Sequence, residues 1–353
     1  MPTQCSGPSR GMELNGFTML LESDAEKELR QNMHDVHLEV CGFVKSLLLS
    51  LGGRRVFVVA VGSGPKGTNT AGSDLDCACS CEFFEPHSKR VYSYGLGNCA
   101  RKFKFKKTFV INSCTLTFNN EHYEKKNEMH LLALDLHYKK GLIEFKCSVD
   151  VTERKGFSSV HNTLFVRHYT TSYPDVGELI LSIKLRVAAR NLSKASKKTL
   201  IGYGWELLTL IALIQLKKLP IVDPLAFAVT GEIFESMSYV DDISDFDYTA
   251  FSLGNVFWSD LSDLDRPSFS EIEVLRQISD ILRERADRQQ LVIKFRDADI
   301  QPVVPQAALV IVDPCVPSGS SGSNVARAVD HPGLDRIRLG LNLIIAELGK
   351  QFQ

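Results

Sequence analysis

The sequence lacks several features that would assign it to a common class of protein. No run of about 18 apolar residues occurs among its 353 residues, so no membrane-spanning helix is expected. The first residues, MPTQCSGPSRG, do not show the charged and then apolar pattern of a secretory signal. The pattern G-x-x-x-x-G-K-[ST] is also missing, because the segment from Gly64 to Thr68 has the wrong spacing, and this excludes a Walker A loop.

The nine cysteines lack the spacing of a common zinc site. No two of them stand as C-x-x-C, and none has a histidine at a zinc-finger interval, which argues against a structural zinc ion. An odd number of cysteines without a secretory signal is typical of free thiols in a reducing compartment. The sequence therefore predicts a cytoplasmic protein.

The net charge of −1 gives no overall attraction to nucleic acid. The charges are nevertheless divided along the chain, because residues 86–200 carry 21 Lys and Arg against 9 Asp and Glu, whereas residues 221–300 carry 7 against 17. The basic part can attract polyanions such as RNA or ATP. Two oppositely charged solvated faces would give the same counts, so both interpretations stay open.

The stretch of residues 58–81 carries the strongest functional pattern. The apolar run 56–61 predicts a buried strand. Gly62-Ser63 follows as a turn at which the backbone can approach a ligand closely. Asp74 and Asp76 are separated by one residue, so on a strand both carboxylates would point to the same face.

Two carboxylates held on one face are unfavourable unless a cation neutralises them. Mg²⁺ prefers hard oxygen ligands and binds through one or two carboxylates together with substrate phosphates. The order of strand, Gly-Ser turn, spacer and Asp-x-Asp therefore predicts that Asp74 and Asp76 hold Mg²⁺ beside a nucleoside triphosphate. The cysteines at the alternate positions of this strand are predicted to point away from the metal into the core: Cys77, Cys79 and Cys81.

The Gly62-Ser63 turn followed by Asp74-Leu75-Asp76 resembles the signature of the DNA polymerase β-like nucleotidyltransferases. The fuller pattern, GSGPKGT and then SDLD, is similar to the 2'-5'-oligoadenylate synthetases, and in particular to their divergent invertebrate, sponge-like members. The resemblance implies a two-lobed α+β (mixed α/β) protein. Residues 1–158 would form a nucleotidyltransferase lobe with a mixed sheet, and residues 159–353 a mostly helical lobe.

A third carboxylate is expected on a later strand. Residues 131–138 and 142–151 predict a hairpin joined by a Lys-Lys-Gly turn. Asp150 lies between two valines, and a hydrophobic-Asp-hydrophobic element supplies the third metal ligand in proteins that the chain resembles. Glu144 has the same parity and is the alternative. The V-E-F-D-V stretch of the synthetases corresponds to IEFKC at residues 143–147, where lysine replaces the aspartate, so we favour Asp150.

The resemblance also implies an ATP site made of Gly62, Ser63, Lys66, Lys184 and Tyr203. The sequence SIKLR is similar to the helix that supplies a phosphate-contacting lysine in the synthetases, and a solvated lysine is the alternative for Lys184. The sequence YGWELLT resembles the Y-A-L-E-L-L-T segment whose tyrosine stacks on a nucleobase. A structural role in the core is the alternative for Tyr203.

A basic segment at residues 101–107 alternates basic and aromatic side chains. As a strand it would place Lys102, Lys104 and Lys106 on one face, where they would form a candidate surface for RNA. A half-buried strand has the same pattern, so this interpretation also stays open.

The function implied by the resemblance is template-independent polymerisation of ATP into 2'-5'-linked oligoadenylates, with release of pyrophosphate and a role in innate antiviral defence. Two Mg²⁺ ions would be held by Asp74, Asp76 and Asp150. The same carboxylates serve 3'-5' poly(A) polymerases and cyclic-dinucleotide synthases, and an inactive fold could act as an RNA sensor. We expect a monomer that has activity without RNA, with double-stranded RNA as a candidate partner.

Overall fold

The computed structural model describes residues 13–14, 17–18, 24–70, 73–85, 90–92, 96–105, 108–111, 114–126, 129–141, 143–154, 158–227, 269–283, 291–295, 308–315 and 324–351. The chain divides into two compact units. One holds Asp24–Thr171 together with Phe227, and the other holds the described residues before 24, Ser172–Ala226 and the described residues beyond 254. The expected boundary after residue 158 lies at the beginning of helix α3, Ser158–Ser172, most of which groups with the first unit.

A mixed seven-stranded sheet forms the centre of the first unit, in the order β3-β4-β9-β8-β7-β6, with β5 paired to β4. Strands β4 and β9 are parallel and the other neighbours are antiparallel. Its strands are β3 Arg54–Val61, β4 Leu75–Glu85, β5 Arg90–Tyr92, β6 Thr108–Ile111, β7 Cys114–Lys126, β8 Met129–Lys140 and β9 Ile143–Arg154. A separate two-stranded pair is formed by β1, Glu13–Leu14, and β2, Phe17–Thr18.

Helix α1, Asp24–Ser50, covers one face of this sheet. Its buried side chains recur every three or four residues, and they pack against the alternate residues of β3 and β4. Gly52 follows the helix with φ of +90°, which glycine adopts without steric strain. The strand that the sequence predicts at residues 56–61 is confirmed.

The hairpin is confirmed and is longer than the predicted one, since β8 and β9 pair antiparallel along twelve residues each and Gly141 turns with φ of +59°. The strand considered for residues 101–107 does not form at residues 101–105, because helix α2 spans Leu96–Phe105. Leu96 and Ala100 are buried four residues apart, as on one face of a helix. Lys102 and Lys104 belong to α2 and not to a strand, while Lys106 lies outside the described residues.

The described part of the second unit is mainly helical. Its α-helices are α4 Pro174–Ala189, α5 Gly202–Gln215, α6 Glu271–Arg283 and α7 His331–Gln351. Two short parallel strands, β10 Leu291–Ile293 and β11 Leu309–Ile311, accompany them. The α+β class is therefore confirmed. Among the described residues, no helix is both long and apolar enough to cross a membrane.

Candidate active site

The turn after β3, residues 62–67, which we call the Gly-Ser turn, is fixed by hydrogen bonds within the turn and to helix α3. The amide of Gly67 donates to the Gly64 carbonyl at 2.9 Å, and the amide of Thr68 donates to the Ser63 carbonyl at 3.0 Å. Gly62 has φ of +81°, a value that favours glycine. Its amide donates to Oγ1 of Thr163 on α3 at 3.0 Å. The turn is thus a fixed feature at the end of a buried strand.

Three neighbouring strands bring the turn and two carboxylates to the same level of the sheet. Val61 pairs with Asp76 across the antiparallel β3–β4 pair, and Asp76 pairs with Asp150 across the parallel β4–β9 pair. Paired residues point to the same face of a sheet, with strands about 4.8 Å apart. A Cβ atom added to Gly62 would lie 2.2 Å from Oδ2 of Asp76. The Asp76 carboxylate therefore fills the space that a side chain at residue 62 would need.

Asp74 belongs to the same group of carboxylates. Burial raises the pKa of Asp74 above its usual value. Burial also raises the pKa of Asp150, and the negative charge of Asp74 raises it further. The two carboxylates are therefore close enough to repel each other.

This set of residues fits Mg²⁺ on the chemistry of its donors. The repulsion between Asp74 and Asp150 disappears when a cation binds between carboxylates, and carboxylate oxygens are the hard donors that Mg²⁺ prefers. The lack of a side chain at Gly62 makes room for the Asp76 carboxylate. Asp74, Asp76 and Asp150 are accordingly the residues that would hold the ion.

Glu144, the alternative third ligand, lies elsewhere on β9. It pairs with Lys139 near the hairpin turn, six residues before Asp150. Its Oε1 atom lies 2.8 Å from Nε2 of His137, and its Oε2 atom lies 3.7 Å from Nζ of Lys139. These two neighbours lower the pKa of Glu144, which is exposed. The structure brings Asp150, and not Glu144, alongside Asp76.

Lys66, Lys184 and Tyr203, which are proposed for the ATP site together with Gly62 and Ser63, each make contacts within the protein. Lys66 is buried, with 4% of its surface exposed. In the second unit, Nζ of Lys184 lies 3.0 Å from Oε1 of the buried Glu206. The hydroxyl of Tyr203 donates to Oδ1 of Asp313 at 2.9 Å, and burial followed by the Asp313 charge raises the pKa of Tyr203.

Helix α3 contacts the Gly-Ser turn through side chains that were not predicted from the sequence. Besides Thr163, which accepts from Gly62, the Arg167 guanidinium donates to the carbonyl of Pro65. The Thr170 hydroxyl donates to the carbonyl of Lys66 at 2.8 Å. Positions 163, 167 and 170 share one helical face, so the spacing T-x-x-x-R-x-x-T in the sequence could have indicated a polar face on this helix. This face of α3 fixes the Gly-Ser turn from residue 62 to residue 66.

No protein-family model matches the chain, and no curated protein matches it in sequence. Similar solved structures include the Cid1 poly(U) polymerase with Mg and 3'-dATP bound, at 17% identity over 93% of this chain and 90% of that chain, with a TM-score of 0.55. A Cid1 structure described for its RNA terminal uridylyl transferase activity covers 93% and 89% at 17% identity, with a TM-score of 0.55. A cytoplasmic RNA terminal U-transferase covers 91% and 93% at 17% identity, with a TM-score of 0.53. The chain has the polymerase β-like nucleotidyltransferase fold.

Proposed function

We propose that this chain is a template-independent nucleotidyltransferase, which transfers a nucleoside monophosphate from a nucleoside triphosphate to a hydroxyl group and releases pyrophosphate. The observation that carries this proposal is the pairing of Asp76 with Asp150 on adjacent parallel strands, beside the Gly-Ser turn. The Asp74 charge that acts on Asp150 completes the group. The fold supports the proposal, because the chain resembles polymerases and transferases over more than nine-tenths of its length.

Each residue has a distinct part in the proposal. Asp74 and Asp76 would hold both of the two Mg²⁺ ions that we propose, and Asp150 would hold the ion nearer the acceptor. When bound, these ions would lower the pKa of the acceptor hydroxyl and neutralise charge on the leaving pyrophosphate. Gly62 allows close approach of the backbone to the triphosphate, and Ser63 offers its hydroxyl to a phosphate oxygen.

The acceptor and the linkage have two candidates. The first is the 2'-5' linkage of oligoadenylates made from ATP, with a role in antiviral signalling, and it is supported by the sequence patterns GSGPKGT and YGWELLT. The second is addition of nucleotides to the 3' end of RNA. It is supported by the structural likeness to a poly(U) polymerase and a terminal U-transferase, which covers more than nine-tenths of the chain.

One experiment separates these candidates. The purified, nucleic-acid-free chain is incubated with Mg²⁺ and each of the four nucleoside triphosphates, alone, with a single-stranded RNA primer, and with double-stranded RNA. Products are digested with nucleases that distinguish 2'-5' from 3'-5' bonds. Oligoadenylates formed without primer support the first candidate, and primer extension supports the second. A product without free ends indicates a cyclic dinucleotide, and RNA binding without any product would contradict the enzymatic proposal.

The remaining parts of the proposal concern the state of the protein. We infer a reducing compartment, the cytoplasm, because the cysteines that the structure describes are free thiols. We also propose a monomer. The candidate RNA surface keeps exposed Lys104 on α2 but loses the strand geometry from which it was predicted. Lys102 and Lys106 remain candidates only as neighbours of Lys104 in sequence.

A further inference from the structure

A buried cluster of one histidine and two cysteines lies behind the strand that carries Asp76. His37 and Cys41 belong to α1, and Cys77 belongs to β4. One potential ligand atom from each residue lies within 4.8 Å of the other two. The exposed fractions of the three residues are 1%, 7% and 0%. A cluster of this composition has no part in the nucleotide chemistry proposed above.

The hydrogen bonding of His37 leaves one ring nitrogen available. Nε2 of His37 lies 2.6 Å from the backbone carbonyl of Asp76, which can only accept, so Nε2 carries the proton. Nδ1 then holds a lone pair, and it is buried with no hydrogen-bond partner in the described structure. A metal-binding histidine commonly has this arrangement, in which one ring N–H donates to a backbone carbonyl and the other nitrogen binds the ion.

The two sulfur atoms are spaced for a shared ion. Sγ of Cys41 lies 3.3 Å from Sγ of Cys77, well beyond the ~2.05 Å of a disulfide. Two thiolates bound tetrahedrally to one Zn²⁺, with Zn–S bonds of about 2.3 Å, lie about 3.8 Å apart. The sulfur atoms would therefore need to separate by only about half an ångström.

The alternation of β4 separates two kinds of metal donor. Asp74 and Asp76 offer hard oxygen atoms on one face, while Cys77 points to the opposite face and into the core. His37 and Cys41 are four residues apart and meet Cys77 from one face of α1. Thiolate and imidazole donors select Zn²⁺ over Mg²⁺.

We infer that His37, Cys41 and Cys77 form a zinc site that joins α1 to β4 directly behind Asp76. The site is independent of the proposed nucleotide chemistry and would exist in an inactive chain. It was not expected from the sequence, because its ligands come from a helix and a strand 36 residues apart.

The test uses the full chain, stripped of metal with a chelator and kept reduced with a phosphine. Co²⁺ is added in excess Mg²⁺ and followed by absorption, because thiolate-to-Co²⁺ charge transfer occurs only with sulfur ligands, and Zn²⁺ is then added as competitor. We expect one thiolate-bound Co²⁺ per chain, its displacement by Zn²⁺, and a higher melting temperature with Zn²⁺ bound. A wild-type chain without the charge-transfer band overturns the inference without any variant.

Two matched variants locate the ligands. Cys41→Ser should weaken Co²⁺ and Zn²⁺ binding by more than about 100-fold, which exceeds the ~10–100-fold loss typical of outer partners. Cys79→Ser removes a buried thiol from the same face of the same strand, outside the cluster, and should keep the band and the Zn²⁺-dependent melting temperature. An unchanged band in Cys41→Ser, or equal losses in both variants, would overturn the assignment.

Discussion

Substitution of Gly62 by alanine should damage catalysis through a single contact. The new Cβ atom would lie 2.2 Å from Oδ2 of Asp76, whereas ordinary contacts begin at 3.4 Å. The Asp76 carboxylate would therefore have to move by about 1 Å, and a displacement of that size at a reacting centre costs about 100-fold in rate. Alanine at φ of +81° would also destabilise the fold by about 1–2 kcal/mol.

Gly67→Ala provides a control for the backbone strain. Gly67 has φ of +69° in the same turn, and a Cβ atom there would have nothing within 4 Å. Backbone strain should cost both variants about 1–2 kcal/mol of unfolding free energy, measured by urea denaturation, and the contact with Asp76 should add to the loss in Gly62→Ala. Only Gly62→Ala should lose about 100-fold in the initial rate of nucleotide incorporation at saturating triphosphate. Equal rates in the two variants would refute the claim that Gly62 makes room for the Asp76 carboxylate.

Three further predictions concern the other carboxylates and two buried groups. Asp150→Asn should reduce nucleotide incorporation by at least about 100-fold while Glu144→Gln leaves it within about twofold, because Asp150 and not Glu144 pairs with the strand that carries Asp76. The reverse order of effects would show that Asp150 is not the third ligand. Burial lowers the pKa of His168 to about 4, so the folded protein disfavours protonation of this side chain. The contribution of neutral His168 to the unfolding free energy is therefore present above pH 6.5 and is lost as the pH falls towards 4. From pH 7 to pH 5 the unfolding free energy should fall by about 2 kcal/mol more in wild type than in His168→Phe, and parallel curves would contradict the shift. Lys184→Met should destabilise the fold by about 3 kcal/mol because the buried Glu206 loses this ion pair. Adding Glu206→Leu should restore stability but not the KM for the triphosphate, and a restored KM would make Lys184 purely structural.

The elements around the candidate site could be predicted because their patterns are local. The apolar period of α1, the continuous apolar run of β3 and the Asp-x-Asp alternation of β4 each fit one secondary structure. The hairpin was predictable from its turn, although not its full length. The nucleotidyltransferase fold was predicted from the resemblance of the Gly62-Ser63 turn and the Asp74-Leu75-Asp76 pattern to a known family.

The parts that the sequence did not predict depend on long-range packing. Residues 101–105 alternate like a strand, but Leu96 and Ala100 bury a helical face, and tertiary packing prevails over local alternation. Thr163 reaches Gly62 across 101 positions of sequence. The spacing T-x-x-x-R-x-x-T marks a polar face of α3 but does not identify its partner, because the contact arises only when α3 packs against the turn.

The choice between Asp150 and Glu144 as the third carboxylate also depends on long-range strand pairing. Asp150 and Glu144 have the same parity on β9, so alternation alone leaves both facing one way. The register of β9 against β4 separates them, because it sets Asp150 opposite Asp76 and leaves Glu144 beside Lys139. Register is a property of paired strands, and a sequence motif records it only indirectly.

The most direct test of the account is incorporation of labelled nucleoside monophosphate by the purified chain in the presence of Mg²⁺, compared with the same assay of Asp76→Asn. The account predicts measurable product for at least one nucleoside triphosphate in wild type, loss of that product on chelation of the metal, and at least about a 100-fold lower rate in Asp76→Asn with an unchanged melting curve. Absence of product with all four triphosphates and all acceptors, or an Asp76→Asn variant as active as wild type, would contradict it.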